Sequence, residues 1–130
     1  MVERLRQLAT DCFVLDGELL VASGNGFAFD ALQMRLHPAE TRIRRLAGET
    51  PATLMVFDLL VSPDRHDVSG EPLAARRAAL ETFVAEAADP YLRLSPQIGD
   101  LAEAQAWLAK GGPSVDGVMA KRLDLSLIHI

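Results

Sequence analysis

The chain has 130 residues, 49% of them hydrophobic and 24% charged, and a net charge of −5. That is enough chain for one domain with its own core, and the charged fraction is ordinary for a soluble globular protein. The acidic balance argues against a surface that is a nucleic-acid footprint throughout. No apolar run approaches membrane-spanning length, so no membrane partner is expected, and Met1-Val2-Glu3-Arg4 lacks the layout of a signal peptide. A single cysteine, Cys12, excludes an intrachain disulfide, fits a reducing, cytoplasmic setting and reads as a small buried hydrophobe. His37, His66 and His129 are scattered, with no zinc-ligand spacing.

Val2 to Ala9 reads as a short amphipathic helix with Leu5 and Leu8 on one side. Phe13 to Val21 follows, apolar at nearly every position except two carboxylates. Asp16-Gly17 within it carries the signal of a two-residue hairpin turn. Ser23-Gly24-Asn25-Gly26 offers a better turn a few residues later, which lets one strand run from Phe13 to Val21. Phe29, Leu32 and Leu36 fall at helical spacing until Pro38, and a second short helix is expected over Ala39 to Leu46, ending near Gly48. Arg35, Arg42, Arg44 and Arg45 form a local basic patch; such a run is more often a solvated helix face than a phosphate-binding surface.

Thr53 to Val61 looks like a second buried strand, bounded by Pro51 and Pro63. Ser62 to Gly70 is polar and loop-like. Leu73 to Ala88 places Leu73, Leu80, Phe83 and Val84 on one helical face. Tyr91 to Ser95 is a brief strand. Asp100 caps a helix to about Lys110 that buries Leu101, Trp107 and Leu108. Val115 to Leu123 makes a last strand after Gly111-Gly112-Pro113. The mixed order predicts an α+β fold with a largely antiparallel sheet and flanking helices.

If Phe13 to Val21 is one strand, Val14, Asp16, Glu18 and Leu20 share a face, with the two carboxylates roughly 7 Å apart. Two anions together on a hydrophobic strand are costly unless a cation, a polar ligand or donated hydrogen bonds offset them. Asp58 and Asp116 place further acids on two of the other strands. Phe57, by spacing alone, is an ordinary core residue. Lys121, five residues after Asp116, falls on the opposite face from it under strict alternation, unless a bulge intervenes.

The order Val-Leu-Asp-Gly-Glu-Leu-Leu-Val (14–21), Val-Phe-Asp-Leu-Leu (56–60), Pro-Leu-x-x-Arg-Arg-x-x-Leu (72–80) and Asp-Gly-Val-Met-Ala-Lys-Arg (116–122) resembles the adenylation domain of ATP-dependent DNA ligases, the bacterial type most closely. The likeness runs from about Cys12 to Asp124. It implies part of an ATP-grasp-like nucleotidyltransferase fold over residues 1–124. It also implies ATP and magnesium as cofactors and nicked double-stranded DNA as partner. By the same resemblance Glu18 contacts the ribose, Asp16 shapes the same wall, Phe57 stacks on adenine, and Lys121 is a weaker nucleotide-binding candidate. Asp116, where the family more often has Glu, is implied as a metal ligand together with Glu18. Arg76 and Arg77, taken to lie on the exposed side of their helix, read as structural or phosphate-contacting.

The family reaction begins with a lysine of Lys-x-Asp-Gly attacking the α-phosphate of ATP. AMP then passes to a DNA 5′-phosphate, and the 3′-hydroxyl displaces it to seal the nick. Lys110 and Lys121 are the only lysines, and neither precedes x-Asp-Gly. Nor does an oligonucleotide-binding barrel follow, and Leu125 to Ile130 looks like translated adaptor or out-of-frame sequence. The expectation is therefore a fragment, inactive alone, whose partners are the missing adenylation-domain segments and the oligonucleotide-binding domain of a parent chain. RNA ligases and guanylyl-transferring capping enzymes share the strand motifs; Pro-Leu-x-x-Arg-Arg and residues 29–36 favour a DNA ligase. A non-catalytic nucleotide- or DNA-binding module is the reading from another class.

Overall fold

The fold is built on one strand, β1 (Val14–Ser23), which runs straight through Asp16-Gly17 instead of turning there. A four-residue helix, α1 (Val2–Leu5), precedes it. The structure, a computed structural model, describes residues 1–23, 26–36, 39–111 and 117–127. After β1 the chain reverses into β2 (Gly26–Phe27), pairing Ala22 with Phe27. The turn residues Gly24 and Asn25 lie outside the described residues, as do His37, Pro38 and His129.

Next come α2 (Phe29–Gln33) and α3 (Glu40–Glu49). The latter passes through Gly48 and ends at Thr50, whose backbone N–H and hydroxyl both donate to the Leu46 carbonyl; Pro51 then blocks further helix. Strand β3 (Ala52–Val61) pairs antiparallel with β1 along nearly its whole length. Helix α4 (Leu73–Ala87) crosses back and delivers β4 (Leu92–Leu94) parallel to β3. Helix α5 (Leu101–Lys110) is last, its first turn capped by the Asp100 carboxylate, which accepts from the Glu103 N–H at 3.0 Å. The sheet order is β2-β1-β3-β4, so the α+β expectation holds, with one parallel pair created by the α4 crossover.

α4 covers one face of the sheet. Val56 and Leu59 of β3, Leu92 of β4, Leu80 and Phe83 of α4 and Val68 form the buried core, with Leu15 and Leu54 packed against it. Phe13 adds a tilted ring contact to Phe83, centroids 5.0 Å apart. Val56, Asp58 and Leu59 are all buried, which strict alternation forbids. The explanation lies in the register: Leu15 pairs with Leu59 and Asp16 with Asp58, but Gly17 pairs with Val56. One extra β3 residue at Phe57 therefore re-aims its neighbours, as a β-bulge does.

Three expectations fail. Residues 117–122 are exposed and irregular where a strand was expected, and no ladder partner pairs with them. Leu101, Trp107 and Leu108 remain 74%, 38% and 58% exposed, because no described element packs over that side of α5. Cys12 is half-buried, bracketed by its backbone bonds to the Thr10 hydroxyl. Apart from these, the segment from Leu125, read from the sequence as a tail of non-native origin, hydrogen-bonds to the domain over its first residues. The Leu73 and Ala74 N–H groups at the start of α4 donate to the Leu125 and Leu123 carbonyls, and Leu127 N–H donates to Ser69.

Gly17 sits where the bulge brings the two backbones closest. A Cβ there would lie 2.6 Å from the Met55 carbonyl oxygen and 3.1 Å from the Val56 Cα, with no flexible side chain to yield. Gly17→Ala is expected to destabilise the fold by about 1–3 kcal/mol through overpacking, read as a lowered urea midpoint at unchanged slope. A midpoint equal to wild type would mean the strands separate there at no cost.

Candidate nucleotide-binding face

Leu15 of β1 packs toward α4, so alternation sends Val14, Asp16 and Glu18 to the other face, where all three are exposed. Glu18 pairs across the ladder with Met55, and Met55 pairs on its far side with Arg93 of β4. Cross-strand partners share a face. Glu18, Met55 and Arg93 thus form a row across three strands. Phe57, two residues from Met55, is half-buried and stands outside the core cluster, unlike the ordinary core phenylalanine that spacing suggested. The sheet thereby brings Asp16, Glu18 and Phe57 onto adjoining strands.

Asp58 does not join them. Its carboxylate is buried and grips Arg76 in a two-pronged ion pair, Nε to Oδ1 at 2.9 Å and Nη2 to Oδ2 at 2.8 Å. The Leu59 N–H also donates to Oδ1. Arg76 spends Nη1 on the Glu71 carbonyl at 2.6 Å and on the Leu125 carbonyl at 3.4 Å. Side-chain exposures of 3% for Arg76 and 1% for Asp58 correct the expectation of an exposed Arg76. That arginine lies at helical spacing between Leu73 and Leu80, on the buried stripe. Arg77 is also largely covered, donating to the Ser95 hydroxyl and carbonyl and pairing with Glu81. Both arginines are structural.

Lys121 is exposed on the irregular 117–122 segment. Beside it Arg122 and Asp124 form a surface ion pair, and the hydrogen bonds from that guanidinium hold the Asp124 carboxyl below its usual range. Asp116 lies outside the described residues. Among the described residues no group of three or more potential ligands is poised around one point. Of the two expected metal ligands only Glu18 is described, and one exposed carboxylate suits magnesium only in the mode where phosphates and waters complete the shell. Half of the basic patch is neutralised: Arg44 pairs with Glu40 and Arg45 with Glu49 along α3, as on a solvated helix face. No described helix is long and apolar enough to cross a membrane.

A bulged, carboxylate-bearing strand pair backed by a helix and a buried ion pair now has a family to set it against. The model of the ATP-dependent DNA ligase domain matches residues 1–127. Over 123 residues the chain is 46% identical to DNA ligase C2 of Mycolicibacterium smegmatis, covering 94% of this chain and 34% of that protein. It is 45% identical over 112 residues to DNA ligase C of Mycobacterium tuberculosis, covering 83% and 31% respectively. A probable DNA ligase of Anaeromyxobacter is 35% identical over 129 residues, 95% of this chain and 24% of that protein. The chain belongs to the ATP-dependent DNA ligase domain family and spans about a third of its mycobacterial relatives.

Breaking the buried pair should cost far more than replacing it. Asp58→Asn leaves a buried guanidinium half-paired and is expected to lose about 3–5 kcal/mol, whereas Asp58→Leu combined with Arg76→Met recovers part of that loss. Urea unfolding of the singles and the double checks this. A double variant less stable than either single would show that Arg76 acts mainly through the Glu71 and Leu125 carbonyls.

Proposed function

We propose that this chain is the central part of the adenylation domain of an ATP-dependent DNA ligase, an ATP-grasp-like nucleotidyltransferase acting on nicked double-stranded DNA. The observation that carries the reading is the family match over residues 1–127, with the Glu18 carboxylate exposed on a strand that family motifs occupy. Support for an adenosine site comes from the neighbouring Phe57, which the core does not consume. In this reading the Phe57 ring gives a flat apolar platform for adenine, and Glu18 accepts from ribose hydroxyls. Asp16 lines the same wall, Lys121 approaches from the later segment, and Asp116 with Glu18 holds magnesium. The metal would supply charge neutralisation at the phosphates when bound.

Neither Lys110 nor Lys121 stands in Lys-x-Asp-Gly, so the chain by itself supplies no motif lysine as nucleophile. That favours nucleotide binding without turnover for this stretch alone, with the parent protein as the working enzyme.

Two measurements test the reading. Removing a stacked aromatic costs about 1–3 kcal/mol per base, so Phe57→Ala should weaken ATP binding roughly tenfold. Glu18→Ala should act similarly on ATP and much less on deoxy-ATP. Unchanged affinity in both variants would leave the adenosine site without support, and tighter binding of GTP than ATP would redirect the reading to capping-type enzymes. Incubation with labelled ATP and magnesium, followed by denaturing electrophoresis, should show no covalent adenylate. A labelled band would disprove the absence of a nucleophile.

A further inference from the structure

Helix α4 begins without a side-chain cap. The first N–H groups of a helix have no partner within it and are met by side chains, water or other backbone. Here the chain returns from far downstream to meet two of them. Leu73 N–H donates to the Leu125 carbonyl and Ala74 N–H to the Leu123 carbonyl, both at 3.0 Å. Arg76, about one turn further on, adds Nη1 to the same Leu125 carbonyl at 3.4 Å. All three bonds end on backbone oxygens, so they hold the path of the chain whatever side chains it carries. Lys121 stands just ahead of that tether, two residues before Leu123.

The same guanidinium holds β3. Nε and Nη2 grip the Asp58 carboxylate, and Phe57, the extra residue of the bulge, is the immediate neighbour of Asp58. With 3% of its side chain exposed, Arg76 is out of reach of a ligand and acts only through what it grips. A guanidinium suits that task because its donors point in fixed directions. One edge takes a carboxylate while the remaining nitrogen serves another acceptor. An ammonium carries the same charge without the fork. One side chain thus joins the strand that carries Phe57 to the segment that carries Lys121.

We propose that Arg76 is a positioning residue of the nucleotide site, setting the Phe57 ring through Asp58 and Lys121 through the Leu125 carbonyl in a single network. The proposal rests on the adenosine reading above. It adds that two pieces of the site, far apart in sequence, are kept in register by a group that touches no ligand. A residue that only fills the interior is replaceable by any side chains that restore stability. A positioning residue is not, because apolar packing supplies cohesion without direction.

Calorimetric titration of the full chain with magnesium ATP, at a temperature where circular dichroism shows each variant folded, tests it. Arg76→Lys is expected to weaken ATP about fivefold, the order by which members of one hydrogen-bond network couple. Asp58→Leu combined with Arg76→Met, a second variant should Arg76→Lys not fold, is expected to show a similar loss although part of the stability returns. In the Phe57→Ala and Lys121→Gln backgrounds Arg76→Lys should cost only about twofold, because one of the groups it positions is already gone. The proposal falls if either folded Arg76 variant binds ATP like the wild type, which would make Arg76 a stability residue alone. It falls equally if the loss stays as large in either background, or if Lys121→Gln by itself leaves ATP affinity unchanged. The adenosine reading is judged by Phe57→Ala and Glu18→Ala alone, so it can stand while the coupling fails. A wild-type chain that takes up no ATP would remove that reading and this proposal with it.

Discussion

The Asp58–Arg76 ion pair is the contact on which the rest of the arrangement hangs. It joins the middle of β3 to the first turns of α4, and through Arg76 Nη1 it also reaches the carbonyls of Glu71 and Leu125. A buried carboxylate without such a partner would be strongly disfavoured, so the pair specifies which rotation of α4 and which register of β3 are compatible. The Leu59 N–H bonded to the same carboxylate ties that specification to the backbone at the bulge. A hydrophobic pair could hold the layers together as well, but it would tolerate a slip. The ionic one does not.

From that constraint follows the division of the sheet into two working faces. Asp58 turned inward requires an irregular step beside it, and the step falls at Phe57. The Phe57 ring is thereby kept out of the core that Val56, Leu59, Leu80 and Phe83 complete. Gly17 is the matching concession on β1, because the close backbone approach leaves no space for a Cβ. Packing on the α4 side and availability on the Glu18 side are consequences of one local geometry. Whatever weakens the ion pair should loosen the exposed face as well.

Much of this was legible in the sequence, and the failures have physical causes. The long apolar run with a better turn beyond it identified β1, and the 3.6-residue stripe identified α4. Arg76 was misplaced because a charged residue was assumed to be outward, although its spacing from Leu73 and Leu80 put it on the buried stripe. A charged residue on such a stripe, with an unexplained acid in a buried strand, is the signature of a partnered pair. The exposed Leu101, Trp107 and Leu108 could not be read so simply. Amphipathic spacing tells which side of a helix is apolar, not whether anything lies against it. Strand propensity over 115–123 failed likewise over its described part, since a strand exists only with a neighbour to pair with. Among the proposed site residues, Glu18 and Asp16 were set by alternation, whereas the position of Phe57 depends on a bulge that no local signal announces.

The exposed face is itself electrically divided. Asp16 and Glu18 put two negative charges on β1, and Arg93 puts a positive one on β4, with the half-buried Met55 between. At roughly 10 Å, close to the screening length in physiological salt, these charges attract one another only weakly across open solvent. They have therefore no strong reason to collapse into a salt bridge over Met55, and each stays available to something else. A cation or sugar hydroxyl is favoured at the β1 side and an anionic oxygen at the β4 side.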